Sequence, residues 1–183
     1  MTMLEDKLLI WRLKRGHEPA LVRVYTKYRR LLLKLACGLV RDTASAEDIV
    51  QDVFVGLAES AHRLRPDGSL KGYLIQSVLN RARNLRRSEK ARRGSDTDQG
   101  DLPAPAESRP DRWVLHHDQL QYLHRALEQL PWEQREVVTM HVRAELTFRE
   151  IARLQNASIN TVQSRYRYGI EKLRALMNGE LEP

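Results

Sequence analysis

The chain has one cysteine, Cys37, in 183 residues. A single thiol excludes an intrachain disulfide and a thiolate metal cluster. Cys37 lies in an apolar helical pattern with Leu35, Ala36 and Leu39, which reads as a buried, inert thiol rather than a redox sensor. No apolar run approaches the length needed to cross a bilayer, and the opening residues MTMLEDKLLI lack a signal-peptide pattern. Membrane insertion is therefore not expected, and the chain reads as soluble and cytoplasmic. A phosphate-binding glycine loop, an HExxH pattern and a nucleophile motif are also missing, so no catalytic residue or cofactor is expected. His117 and His124 stand seven apart on one helix face with Asp118 nearby. Solvated helix residues explain them better than a metal site.

Positive charge, by contrast, is abundant. The formal net charge is +7 and the pI about 9.8, which favours a polyanionic partner such as nucleic acid, or an acidic membrane surface. The length suits one large or two small domains.

Helical periodicity dominates the first half. A short helix is expected over Glu5–Lys14, ended by Gly16 and Pro19. Leu21, Val24, Tyr25, Tyr28, Leu31, Leu32, Leu35 and Leu39 then indicate a helix from Glu18 to Val40. Ser45-Ala-Glu-Asp48 is a capping-type start for a third helix reaching about Ser60. Its stripe of Ala46, Ile49, Val50, Val53 and Leu57 faces inward, and Asp48, Gln51, Asp52, Val55 and Glu59 face out. An acidic face repels DNA but suits a protein with a basic surface; a solvated surface helix is the plainer alternative.

The segment His62–Ser69 is loop chemistry, with Pro66, Asp67 and Gly68, and Ser69 can cap the next helix, Leu70 to Arg87 or beyond. Leu70, Leu74, Val78, Ala82 and Leu85 form its inner side. Opposite stand Tyr73, Gln76, Asn80, Arg83, Asn84 and Arg87, which combine groups able to stack on bases, read base edges and hold phosphates. Toward its end Arg81, Arg83, Arg86, Arg87, Lys90, Arg92 and Arg93 are opposed only by Glu89, which favours phosphate contact over a merely solvated basic end.

Gly94–Asp111 changes character, to glycines, prolines and small polar or acidic residues without periodicity, and reads as a flexible linker. Extended, it reaches about 60 Å, or roughly 18 base pairs at about 3.4 Å per pair. Its carboxylates should keep it off phosphates. Trp113, Leu120, Leu123, Leu127 and Leu130 mark a helix beyond it, and Pro131 suits the first turn of another, Trp132 to about Arg143. The chain is thus expected to be all-α. Two small helical domains, 1–93 and 112–178, flank the linker 94–111.

Thr147–Met177 then reads as helix, turn, helix. Thr147 and Glu150 form a capping box, Asn156-Ala157-Ser158 is the turn, and Ser158 caps the second helix. Ile159, Val162, Tyr166, Ile170, Leu173 and Met177 make the buried stripe. Asn160, Thr161, Ser164, Arg167 and Tyr168 fall on the far side, flanked by Gln163 and Arg165. Such a short, hydrogen-bonding, cationic face suits a helix entering the major groove; an ordinary helical hairpin with a solvated polar face is the alternative.

Taken together, SAEDIVQDVFVG (Ser45–Gly56), LPWEQREVV (Leu130–Val138) and LTFREIARLQNASINTVQSRYRYGIEKLR (Leu146–Arg174) resemble a bacterial RNA polymerase sigma factor of the extracytoplasmic-function type. The resemblance covers nearly the whole chain, as a sigma-2-like domain, a linker and a sigma-4-like domain. It implies that Asp48, Gln51, Asp52 and Val55 bind the clamp helices of core RNA polymerase, with the flap as a second contact. It also implies that the helix from Leu70 and the loop before it read the promoter −10 element and help melt it, through Leu64, Lys71, Tyr73, Gln76, Ser77, Asn80, Arg83, Asn84 and Arg87. The loop 62–69 would capture a flipped-out base. Asn160, Thr161, Gln163, Ser164, Arg165, Arg167 and Tyr168 would engage the −35 element, Thr161 and Arg165 through phosphates. An anti-sigma factor is expected as a further partner, and a C-terminal regulatory domain is not. The chain departs from the family in having Tyr73 for a usual tryptophan, Gln76 for an arginine, Gln163 for an often basic residue, and no aromatic near Leu64. These changes leave the role but obscure the preferred promoter sequence. A polymerase-independent helix-turn-helix regulator is the competing reading, and it leaves the acidic third helix without a task.

Overall fold

The computed structural model describes residues 3–64, 69–95 and 122–179. Among them every regular element is helical. The first domain contains α1 (Met3–Lys14), α2 (Glu18–Cys37), α3 (Thr43–Ser60), a 3₁₀ turn (Ala61–Arg63) and α4 (Leu70–Ser95). The second contains α5 (122–128), α6 (Trp132–Val142), α7 (Phe148–Gln155) and α8 (Ile159–Met177). Most of the linker, with His117, Asp118, Trp113 and loop residues 65–68, lies outside the described residues. Gly94 and Ser95 complete α4.

Helix ends follow local chemistry. Pro19 sits in the first turn of α2, where its missing N–H is not needed. The third helix starts two residues before Ser45, because Asp42 rather than Ser45 is its N-cap. The Asp42 carboxylate accepts from Ser45 N at 2.7 Å and from Ser45 Oγ at 2.8 Å. The second helix ends at Cys37, before the expected Val40, with Gly38 as its C-cap. Cys37 is half-buried, and burial pushes its thiol pKa up, against easy thiolate formation.

The core of the first domain is the set the periodicity selects. Ala46, Ile49, Val50, Val53 and Leu57 of α3 pack on Val24, Leu32 and Leu35 of α2 and on Leu70, Leu74, Val78 and Ala82 of α4. Ile75 and Leu79 are fully buried as well, so α4 turns a broader apolar face inward than its expected stripe. Helix α1 is tied to α2 by Lys27, which bonds Glu5 at 2.9 Å and Asp6 at 2.7 Å, while Tyr28 donates to Asp6 at 2.6 Å.

The two domains meet in a seam between the C-terminal end of α2, the connection after it and α4 on one side and α5 and α6 on the other. Gly38 makes the approach possible: a Cβ there would run into Thr139 Cγ2. The freed backbone serves the partner helix, since Arg135 Nε donates to Gly38 O at 2.9 Å. Arg41 pairs with Glu128 at 3.4 Å, and its carbonyl meets His124 Nε2 at 2.7 Å. Residues of α6 are consequently buried almost all round, including Arg135, Glu136 and Thr139.

Candidate nucleic-acid and polymerase interface

The helix-turn-helix is built by its caps. Thr147 accepts from Glu150 N at 3.3 Å, and Glu150 Oε2 accepts from Thr147 N at 2.8 Å, a reciprocal box that fixes the start of α7. This bonding holds the Glu150 carboxyl below its usual pKa. Asn156 ends the helix in the left-handed region, φ 49°, which asparagine tolerates. Ser158 Oγ then accepts from Thr161 N at 3.0 Å and starts α8. Val162 anchors α8 in the core, and Phe148, His141 and Tyr166 stack against one another beneath the turn. Ile159 and Met177, in phase with the buried stripe, lie at the ends of α8 and are exposed instead.

On the outer side Asn160, Thr161, Gln163, Ser164, Arg167 and Tyr168 are all exposed. Arg167 leans on the Tyr168 ring, 4.9 Å from its centroid, and reaches Glu171 at 4.0 Å. Arg165 is half-buried and donates to Gln155 Oε1 at 3.0 Å, which ties the two helices of the motif together. The donors and acceptors needed to read base edges stand on one accessible face.

On α3, Asp48, Gln51, Asp52 and Val55 are exposed, Val55 at 51 %. Asp52 is linked to α4: Arg81 Nη2 donates to its carbonyl at 2.8 Å and Arg81 Nε lies 3.5 Å from its carboxylate. Beside this face runs an apolar groove of about 700 Å³ between α2 and α3, lined among others by Leu21, Val22, Tyr25, Phe54 and Val55. Tyr25, one of the apolar residues that indicate α2, is 42 % exposed and lies against Phe54 at 4.8 Å between ring centroids. The signal was present as excess: α2 carries more apolar residues than one helical stripe can bury.

The α4 set is brought together in part. Gln76 donates to Asn80 Oδ1 at 3.0 Å, Ser77 Oγ donates to Tyr73 O at 2.9 Å, and the Tyr73 hydroxyl meets Ser60 Oγ at 2.9 Å. Tyr73, Asn80, Asn84 and Arg87 are exposed and Lys71 is half-buried. Leu64 stands apart, 8 % exposed and packed in the core. Arg83 is engaged across the seam. Its Nε and Nη2 donate to Glu136 Oε1 and Oε2 at 2.6 and 2.7 Å. Glu136, 2 % exposed, also accepts from Trp132 Nε1 at 2.7 Å and Gln155 Nε2 at 2.9 Å. This carboxylate, unremarked in the sequence, is the polar centre of the seam.

Comparison with known proteins adds a lineage to this geometry. Sigma-70 region 2 matches residues 24–92, and the sigma-70 region 4 model matches residues 120–173. The RNA polymerase sigma-H factor of Pseudomonas aeruginosa is 26 % identical over 100 % of this chain and 97 % of its own. The ECF RNA polymerase sigma-E factor of Escherichia coli K12 is 23 % identical over 98 % of this chain and 96 % of its own. Among solved structures, CnrH in complex with the cytosolic domain of CnrY superposes with a TM-score of 0.73, 21 % identity, and 97 % and 99 % of the two chains covered. The sigma factor RpoE of Bartonella quintana, in complex with the anti-sigma factor NepR, gives 0.61 at 21 % identity, covering 85 % and 97 %.

Proposed function

The chain belongs to the sigma-70 family of RNA polymerase sigma factors, in its extracytoplasmic-function class, and from that premise we propose how its surfaces divide the work of transcription initiation. Residues 1–93 carry polymerase docking and the −10 element, 94–111 tether, and 112–178 carry the −35 element. Asp48, Gln51, Asp52 and Val55 meet the clamp helices of core polymerase, whose basic surface complements them. The exposed face of α8 enters the major groove at the −35 element. Gln163, Ser164, Arg167 and Tyr168 read base edges there, and Thr161 and Arg165 hold phosphates.

The exposed amides of α4, with Tyr73, hold bases of the opened −10 strand. DNA stacking holds each step by about 1.4 kcal/mol, and trapping an unstacked base offsets a few kcal/mol per nucleotide. The chain thereby biases an equilibrium toward the open promoter without consuming a nucleotide. Arg83 must exchange Glu136 for DNA before it can join this face, so promoter engagement requires the seam to part. The linker then allows the domains to reach separate elements.

Among the described residues no helix is long and apolar enough to cross a membrane. Members of this family regulate transcription. Access to the polymerase-binding face is controlled by an anti-sigma factor. The observation that carries the proposal is the pairing, in one chain, of an exposed acidic α3 face with an exposed α8 reading face. A pull-down with purified core polymerase tests it: the full chain should be retained, and Asp48→Lys with Val55→Asp should release it. Retention of the double variant at wild-type level counts against this division of labour.

A further inference from the structure

Where α2 and α4 meet α6, the seam holds a partly open cavity of about 150 Å³ that the two promoter-reading faces do not use. Its lining includes Arg41 from the connection between α2 and α3, Arg86 and Glu89 from α4, and Glu128, Trp132 and Arg135 from the second domain. Arg135 is 7 % exposed. Its Nε is satisfied by Gly38 O, but Nη2 is buried without a hydrogen-bond partner. A guanidinium cannot shed its charge at working pH, so a buried donor left unpaired is a standing demand for an acceptor. Burial pulls the Arg135 pKa down to about 10, with Arg41 and Arg86 adding repulsion, against partial relief from Glu128 and Glu89.

The other two arginines are only partly committed. Arg41 Nε is drawn to Glu128, and the Arg86 guanidinium sits over the Trp132 ring, 4.7 Å from its centroid. A cation–π contact is made by the charge as a whole and leaves the N–H donors to find acceptors. Among the described residues, no carboxylate lies within ion-pair distance of Arg86 or Arg135. The cavity therefore gathers three guanidinium groups against two carboxylates, of which Glu128 lies 3.4 Å from Arg41 Nε without a hydrogen bond to it.

We propose that this cavity is a binding site for one phosphate-class oxyanion, held by Arg41 and Arg86 of the first domain and Arg135 of the second. The volume suits it: at about 30 Å³ per water it has room for about five waters, and a phosphate is five heavy atoms at covalent distances. Planar guanidinium forks match the tetrahedral oxygens of phosphate, and each contact is charge-assisted. Because the ligands come from both domains, the anion binds only the closed arrangement and stabilises it by mass action. Free phosphate and the terminal phosphate of a nucleotide share this chemistry.

The test is the melting temperature of the full chain titrated with millimolar inorganic phosphate, against chloride at equal ionic strength. A saturating rise is expected. Phosphate also stabilises proteins non-specifically by exclusion from their surface, so the variants decide. Arg86→Gln, at an exposed position, should raise the half-saturating concentration at least tenfold, Arg135→Lys should do the same, and Arg92→Gln, exposed elsewhere on α4, should match wild type. Should Arg135→Lys fail to fold, Arg86→Gln carries the result alone. A parallel titration with a nucleoside diphosphate names the source: saturation at tenfold lower concentration, lost in Arg86→Gln, assigns a nucleotide, and weaker or equal saturation assigns free phosphate. The proposal is overturned if neither ligand outdoes chloride, or if Arg86→Gln responds as wild type does.

Discussion

Arg83 on α4 and Glu136 on α6 are joined by two parallel hydrogen bonds, 2.6 and 2.7 Å long, across the boundary between the two domains. The carboxylate is the buried member, at 3 % side-chain exposure against 31 % for the arginine. The pairing raises the Arg83 pKa further above its ordinary value, so the contribution is fully present below that ordinary value and is lost only as pH rises through the higher folded one. It persists at every working pH. Arg83→Ala leaves Glu136 with only its neutral donors and should cost about 1–3 kcal/mol. Hydrogen exchange should show the loss in α6 and in α4 around position 83, with α1 and the α1–α2 contact unchanged. A uniform change across the chain would argue that the pair is not specific to the seam.

Gly38 sets how closely the domains approach. A methyl group there collides with Thr139 Cγ2, and overpacking of this kind costs about 1–3 kcal/mol. Gly38→Ala should therefore loosen the seam, read as a larger radius of gyration in solution scattering. Adding Thr139→Ser removes the offending methyl and keeps the hydroxyl, so the double variant should recover most of the compactness. Additive losses would contradict the contact.

The caps of the reading motif predict a local acid sensitivity. The Glu150 carboxyl is held low by its bonds to Thr147, so its stabilisation is present above the unfolded carboxyl pKa and is lost as pH falls through the lower folded value. Thr147→Ala should cost about 0.5–2 kcal/mol, the usual range for an N-cap. Glu150→Gln should flatten the acid side of the stability profile. An unchanged pH profile in Glu150→Gln would remove the box from the explanation.

On the α8 face proposed to read the −35 element, Arg167 and Arg165 should behave differently. Arg167→Ala is expected to cost about 1–3 kcal/mol on the preferred site and to relax sequence preference there. Arg165→Ala should weaken all sequences alike and lower the slope of log affinity against log salt by about one. Binding titrations at several salt concentrations on preferred and scrambled duplexes distinguish them.

Much of this architecture was legible because local rules and tertiary packing agreed. The box at Thr147, the cap at Ser158 and the period of α3 each name their helix without help from the rest of the chain. Spacing from Ser45 to Asp48 pointed to Ser45 as the start of α3, but the structure uses Asp42 as the cap with Ser45 as its donor. Periodicity misled at the ends of α8, where Ile159 and Met177 have no facing helix to cover them. The seam was the least legible feature. Arg83 reads as a phosphate ligand on the outer side of α4, and Glu136 and Arg135 look like ordinary surface charges until a second domain covers them. Gly38 carries no sequence signal of its own, since its role depends on Thr139, 101 residues away.

Initiation itself is the most direct check on the assignment. Core RNA polymerase reconstituted with the full chain should start RNA at defined positions on a subset of a randomised promoter library. Core enzyme alone should not, and Asn80→Ala should lose open complexes more than closed ones. Transcripts no more frequent or better positioned with the chain than without it, on every promoter in the library, would contradict the assignment.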